Sequence, residues 1–186
     1  MNPLAAVLEQ DGVLLQHDQA LPSATGSMAG EPVRGSWWSH PLAHEIYEAL
    51  EALEHDGLAV TCRLVSGKLT MVARRLWPDL AAVGEERAPW QAVSAPAGAL
   101  LASLAGLTDP LLVDGTSRAA ARELEDKLLV HVVEVHLPTG RHTKGILPWS
   151  ALVPGERPGP AEARARFEAI VDAWPATGRR RLLPWR

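Results

Sequence analysis

With 186 residues, 47% apolar side chains and a formal charge of −4, the chain is long enough for one good-sized domain or two small ones, and apolar enough to exclude disorder over most of its length. Its apolar runs are broken by Glu, Asp, Gly or Pro well before the roughly 18 residues of a membrane helix, and no basic region followed by an apolar stretch opens it, so a cytoplasmic protein with no membrane partner is expected. The single cysteine, Cys62, excludes an internal disulfide and any cysteine metal cluster, agrees with a reducing compartment, and reads as an inert thiol buried on a strand.

Asn2-Pro3 supplies an N-cap and a first helical position, and Leu4, Val7 and Leu8 follow at helical spacing until Gly12. Residues 21–32 are rich in Ser, Ala, Gly and Pro, and read as a connector in loop or short-helix form. The next helix is the clearest in the chain. His40 stands where an N-cap would, Pro41 fits the first turn, Ile46, Leu50 and Leu53 mark one face, and Glu45, Glu48, Glu51 and Glu54 fall largely on the other. Gly57 stops it.

Alternation then sets in over Leu58, Val60, Cys62 and Leu64, and Ser66-Gly67 suits a two-residue turn. Leu64 opposite Leu69, Cys62 opposite Met71 and Val60 opposite Ala73 would gather the apolar residues on a single face. Trp77-Pro78 ends this first helix–hairpin unit, residues 82–95 are less regular, and Pro96 with Leu100, Leu101 and Leu104 predicts a short helix stopped by Gly106.

A second unit of the same outline follows. Thr116 or Ser117 caps a helix carrying Leu124 and Leu128, a strand crosses residues 129–137, Pro138-Thr139-Gly140 turns it, and a return strand runs from about His142 to Leu147 before Pro148. Gly155 to Pro160 form a linker, and Phe167, Ile170, Val171 and Trp174 give the last helix an apolar stripe. The predicted fold is therefore α+β, built of winged-helix-like helix–hairpin units repeated twice. Its segments are 1–34, 35–84, 85–154 and 155–186, gathered in one compact domain.

Charge is polarised along the chain. Residues 1–60 hold nine acidic residues against Arg34 alone, a net −8, and the remainder is +4. An anionic partner on the basic side is compatible with this, although a pI near 6.0 falls short of a dedicated nucleic-acid binder, and a solvated acidic helix face accounts for it equally well. The basic hairpin carries Arg63, Lys68, Arg74 and Arg75 with no acid between residues 61 and 77, as a wing that meets phosphates requires. Trp37 and Trp38 are candidates for stacking on bases, although indoles at element ends more often seal a core edge. The terminal Arg179-Arg180-Arg181, with Leu182, Leu183, Trp185 and Arg186, forms a short basic and aromatic tail, of which a docked terminus is the ordinary reading.

Histidines offer the other chemistry. His40, His44 and Glu48 have the spacing of a shared divalent ion, but capping explains His40 and the zinc-protease pattern is missing, so no metal is expected. On the second hairpin His131 falls with Val133 and Val135 as a core or edge residue. His136 and His142 flank the turn near Thr139, Arg141 and Lys144, a cationic arrangement suited to phosphate or to acid–base catalysis. No phosphate loop, nucleophile elbow or acidic triad is present, which disfavours a conventional hydrolase, kinase or dehydrogenase, and no cofactor is expected.

The segment Gly35-Ser36-Trp37-Trp38-Ser39-His40-Pro41, with Arg74-Arg75-Leu76-Trp77-Pro78 and the later Val135-His136, Gly140 and His142, resembles an uncharacterised group of small bacterial proteins over about residues 30–150. That resemblance implies no activity. The residues themselves lead to a nucleic-acid-interacting accessory protein with a DNA or RNA partner. The alternatives are a small enzyme using His136 and His142 on a phosphorylated substrate, or a protein-binding module whose partner covers the tryptophans.

Overall fold

The computed structural model describes every residue except Met1, Thr139 and residues 177–180. Contacts group the chain into two compact units, one of residues 1–77 with 164–184 and Arg186, the other of residues 78–163 with Trp185.

In the first unit α1 (Pro3–Asp11) starts where Asn2 Oδ1 accepts from Leu4 N, and Gly12 closes it with its N–H on Leu8 O. Next come β1 (Val13–Leu15) and the short α2 (Ala24–Ala29), capped by Ser23. A single 3₁₀ turn over Trp37–Ser39 leads to α3 (Ala43–His55), two residues later than the expected Pro41 start. His40 closes the 3₁₀ turn instead, and its Nδ1 accepts from Leu42 N. Ile46, Leu50 and Leu53 are buried and the four glutamates face solvent, so the two faces of α3 stand as the spacing predicts. Leu50→Ala is expected to cost about 2 to 4 kcal/mol and Glu51→Ala less than about 0.5 in denaturant titrations. Equal costs would reverse the face.

Strands β2 (Ala59–Val65) and β3 (Lys68–Ala73) form the predicted hairpin, with Ser66 and Gly67 both at positive φ as the two-residue turn demands. The register needs correcting beyond the tip. Val65 opposes Lys68, in line with the register expected from Leu64 opposite Leu69, but Cys62 opposes Thr70, Thr61 opposes Met71 and Val60 opposes Val72, a slip of one residue across a bulge. Two causes are visible. β1 pairs with the far edge of β3, giving the order β1-β3-β2 and burying β3 on both faces, so the two-faced alternation that set the expected register does not govern this strand. At the bulge the buried Thr70 hydroxyl accepts from Val65 N at 3.2 Å and donates to Lys68 O at 2.9 Å, standing in for the interrupted ladder.

The second unit takes up α4 (Trp77–Gly84) from Pro78, a helix that reaches into the stretch from residue 82 expected to be irregular, and continues with α5 (Ala95–Ser103), β4 (Leu111–Leu112) and α6 (Arg118–Asp126). Strands β5 (His131–His136) and β6 (His142–Leu147) form its hairpin, with β4 on the outer edge of β6, so the order is β4-β6-β5. The short α7 (Trp149–Leu152) and the start of α8 (Pro160–Asp172) complete it. The fold is thus mixed α and β with two small three-stranded antiparallel sheets, and no described helix is long and apolar enough to cross a membrane.

Each unit has its own core. Leu4, Leu8, Leu14, Ile46, Leu53 and Met71 fill the first, and Ala97, Leu104, Leu124, Val130 and Ile146 the second. In the second, Gln91 Nε2 donates to the carbonyls of Val83, Gly84 and Lys127, tying the end of α4 to the end of α6.

Candidate functional site

The four basic residues of the first hairpin are engaged internally. Arg63 Nη1 donates to Gly67 O at 2.9 Å, bracing its own turn. Lys68 pairs with the buried Asp18, whose other oxygen accepts from Ala20 N and Leu21 N at 2.8 and 2.9 Å. Burial works against the Asp18 carboxylate, but the Lys68 side chain and the two backbone donors outweigh it and hold the group below its ordinary value. Arg75 donates to Glu9 O at 3.0 and 3.1 Å, closing the C-terminus of α1, where a cation also meets the negative end of the helix dipole. Arg74 lies over the Trp77 ring at 5.8 Å. The hairpin tip is covered as well: Ser66 N donates to Leu182 O at 2.7 Å and Leu182 N to Ser66 Oγ at 3.1 Å.

The basic tail is docked where it is described. Arg181 Nη1 donates to Trp174 O at 2.6 Å beyond the end of α8, and Arg186 forms a two-pronged pair with Asp172 at 2.8 Å. Arg179 and Arg180 lie outside the described residues.

Of the paired tryptophans only one faces out. Trp37 is buried, which removes it as an open stacking platform, and Trp38 stacks on it at 4.0 Å with 62% of its surface exposed. The loop that carries them is fixed by His17, whose ring nitrogens reach Thr25 Oγ1 and Gly35 O, both at 2.9 Å. Since a carbonyl only accepts, Nε2 carries a proton toward Gly35 O, while the Thr25 hydroxyl can serve Nδ1 in either direction. No sequence signal marked His17 for this role. His44 pairs with Glu48 at 3.2 Å while His40 is turned to its cap, and no group of three or more potential metal ligands exists among the described residues.

Chemistry-bearing side chains converge instead in the second unit. Asp114 Oδ1 accepts from the backbone of Thr116 and Ser117 and from both hydroxyls at 2.8 to 2.9 Å, which starts α6 and brings the Asp114 carboxyl down to about 2. Residues 118, 121, 122 and 125 then share one face of α6. They border a cleft of about 590 Å³ whose opposite side is the sheet. Val113, Ala121, Val132 and Ile146 make its apolar floor, and Arg118, Arg122, His142, Thr143 and Lys144 its polar rim.

The predicted pair His136 and His142 are directly opposite in the ladder, with ring centroids 4.0 Å apart, and His142 Nδ1 is hydrogen-bonded to Glu134. Only His142 of the two borders the cleft. Arg122 is held by Asp126 at 3.1 Å and Glu125 at 3.4 Å, whereas Arg118, Arg141 and Lys144 make no side-chain hydrogen bond or ion pair among the described residues. Thr139, read as part of this group, lies outside the described residues. The sequence reading missed Arg118 and Arg122, whose signal is the four-residue spacing of two arginines just after a cap; alternation puts Glu134 on the His136 face of its strand, but its pairing with His142 is added by the structure.

Comparison with family models, curated proteins and solved structures finds no match to this chain.

Proposed function

We propose that the chain is a nucleic-acid-interacting accessory protein built of two winged-helix-like units, one a structural repeat of the other, and that the second unit makes the contact. Both units place a short strand before a helix and hairpin and pair that strand with the return strand. The observation that carries the reading is Arg118 on α6 and Lys144 on β6, uncommitted cations bordering one cleft, with Arg141 close to the hairpin turn. A helix and a hairpin that present cations together grip a phosphate backbone without reading its sequence. Residues 78–163 carry eleven acidic against seven basic residues, so attraction must be local and contact weak.

Fluorescence anisotropy with labelled single-stranded DNA, duplex DNA and RNA over a salt series tests this. Arg118→Ala combined with Lys144→Ala is expected to flatten the plot of log K against log salt by about 1.5, and Arg63→Ala to leave it nearly unchanged. No binding to any of the three at low salt sinks the proposal.

One observation favours a second reading. His142 borders the same cleft with Nδ1 held by Glu134, the arrangement that orients an imidazole for proton transfer. An enzyme acting on a small phosphorylated substrate would lose turnover in His142→Ala and bind no polynucleotide.

A further inference from the structure

We propose that the exposed aromatic and acidic surface of α3 is a docking site for a lysine- or arginine-rich segment of a partner protein. Trp38 is 62% exposed and Tyr47 41%, with ring centroids 5.8 Å apart and Trp37 stacked beneath Trp38 at 4.0 Å. The core does not need the outer two rings, since Trp37 already covers its edge. Yet Trp38 is held in place, because the loop bearing it is tied down by His17 at Gly35 and by the 3₁₀ turn that Ser39 N and His40 N close on Ser36 O and Trp37 O. A large side chain that is both exposed and fixed binds with little further loss of conformational freedom.

Charge selects the occupant. Glu51 lies one helical turn beyond Tyr47, Glu48 lies beside Glu51 at i, i+3 and pairs with the exposed His44, and Glu54 follows on the same side of the helix. Polynucleotide is repelled by such a surface. A guanidinium or ammonium over the indole face gains cation–π attraction, and the carboxylates receive the neighbouring basic side chains. This inference stands independently of the nucleic-acid reading, which uses the second unit alone.

The test is anisotropy of a fluorescein-labelled peptide of alternating arginine and glycine against the full chain, with a glutamate–glycine peptide as control. Binding of the arginine peptide is expected, weakened at least about fivefold in Trp38→Ala, partly restored in Trp38→Phe, and weakened to a similar degree in Glu48→Gln combined with Glu51→Gln. Circular dichroism establishes that each variant is folded. Absence of binding, equal binding by Trp38→Ala, or equal binding of the glutamate peptide overturns the proposal. So does concentration-dependent dimerisation abolished by Trp38→Ala, which would make a second copy of the chain the occupant.

Discussion

Gly84→Ala is expected to destabilise the second unit by about 3 kcal/mol or more, since its added methyl makes the closest approaches found at any described glycine. A Cβ on Gly84 would stand 2.2 Å from Trp149 Nε1, 2.4 Å from Trp149 Cδ1 and 2.5 Å from Leu128 O. None of these atoms is free to retreat. Trp149 is fully buried and its Nε1 donates to Leu128 O at 2.6 Å, so moving the indole breaks a buried hydrogen bond as well as a packed contact. On the other side Gly84 O is held by Gln91 Nε2 at 2.9 Å, which resists a shift of α4. Gly98→Ala is the control. It lies within α5 with nothing inside 4 Å of its added carbon, so it should stabilise by about 0.4 to 1 kcal/mol. Urea titrations of both variants check the pair, and similar midpoints would show that the close approach at Gly84 is not what matters.

Gly84 also marks where the sequence stopped being readable. The helix over Trp77–Gly84 is buried on nearly every side, so it lacks the polar face that lets a helical period stand out, and Trp77-Pro78 reads as an ending when it is in fact a beginning. Strands β1 and β4 were missed for a related reason. Three and two residues long, they hold no alternation, and only pairing with β3 and β6 makes them strands. By contrast α3 and the Ser66-Gly67 turn were legible, because amphipathic spacing and turn residues act locally.

The candidate sites divided along the same line. His136 and His142 could be paired from the sequence because a hairpin turn joins them, and the structure does put them opposite one another. In the first hairpin a run of Arg and Lys says nothing of whether Asp18, the carbonyl of Glu9 or the carbonyl of Gly67 waits for them. Those acceptors come from distant chain segments or from the turn itself. Arg118 and Lys144 have no such partners among the described residues; Lys144 stands out in sequence beside His142 and Arg141, whereas Arg118 is masked by the acids of its own helix.

The same packing around Trp149 leads to a pH effect of comparable size. His131, on β5, lies with its ring 5.7 Å from the Trp149 ring, and its Nδ1 is buried with no hydrogen-bond partner among the described residues. Burial alone lowers its imidazole from 6.5 to about 4, so the folded unit holds it neutral. The unfolded chain takes up a proton below about 6.5 that the folded state refuses until about 4. Stability is therefore fully present above the upper value and is lost as pH falls through the window, by about 3 kcal/mol in total. His131→Leu removes the titrating group and the unpartnered nitrogen together. At pH 8 this variant should be as stable as the native chain or slightly more so, because replacing an unsatisfied buried polar group with an apolar one of similar size is near neutral or favourable. Between pH 6.5 and 4 its stability should fall less steeply, by about 3 kcal/mol over the window. Urea midpoints measured at half-unit steps of pH decide the matter: parallel curves for the two proteins would mean that the buried imidazole is protonated, or hydrogen-bonded, in the folded state.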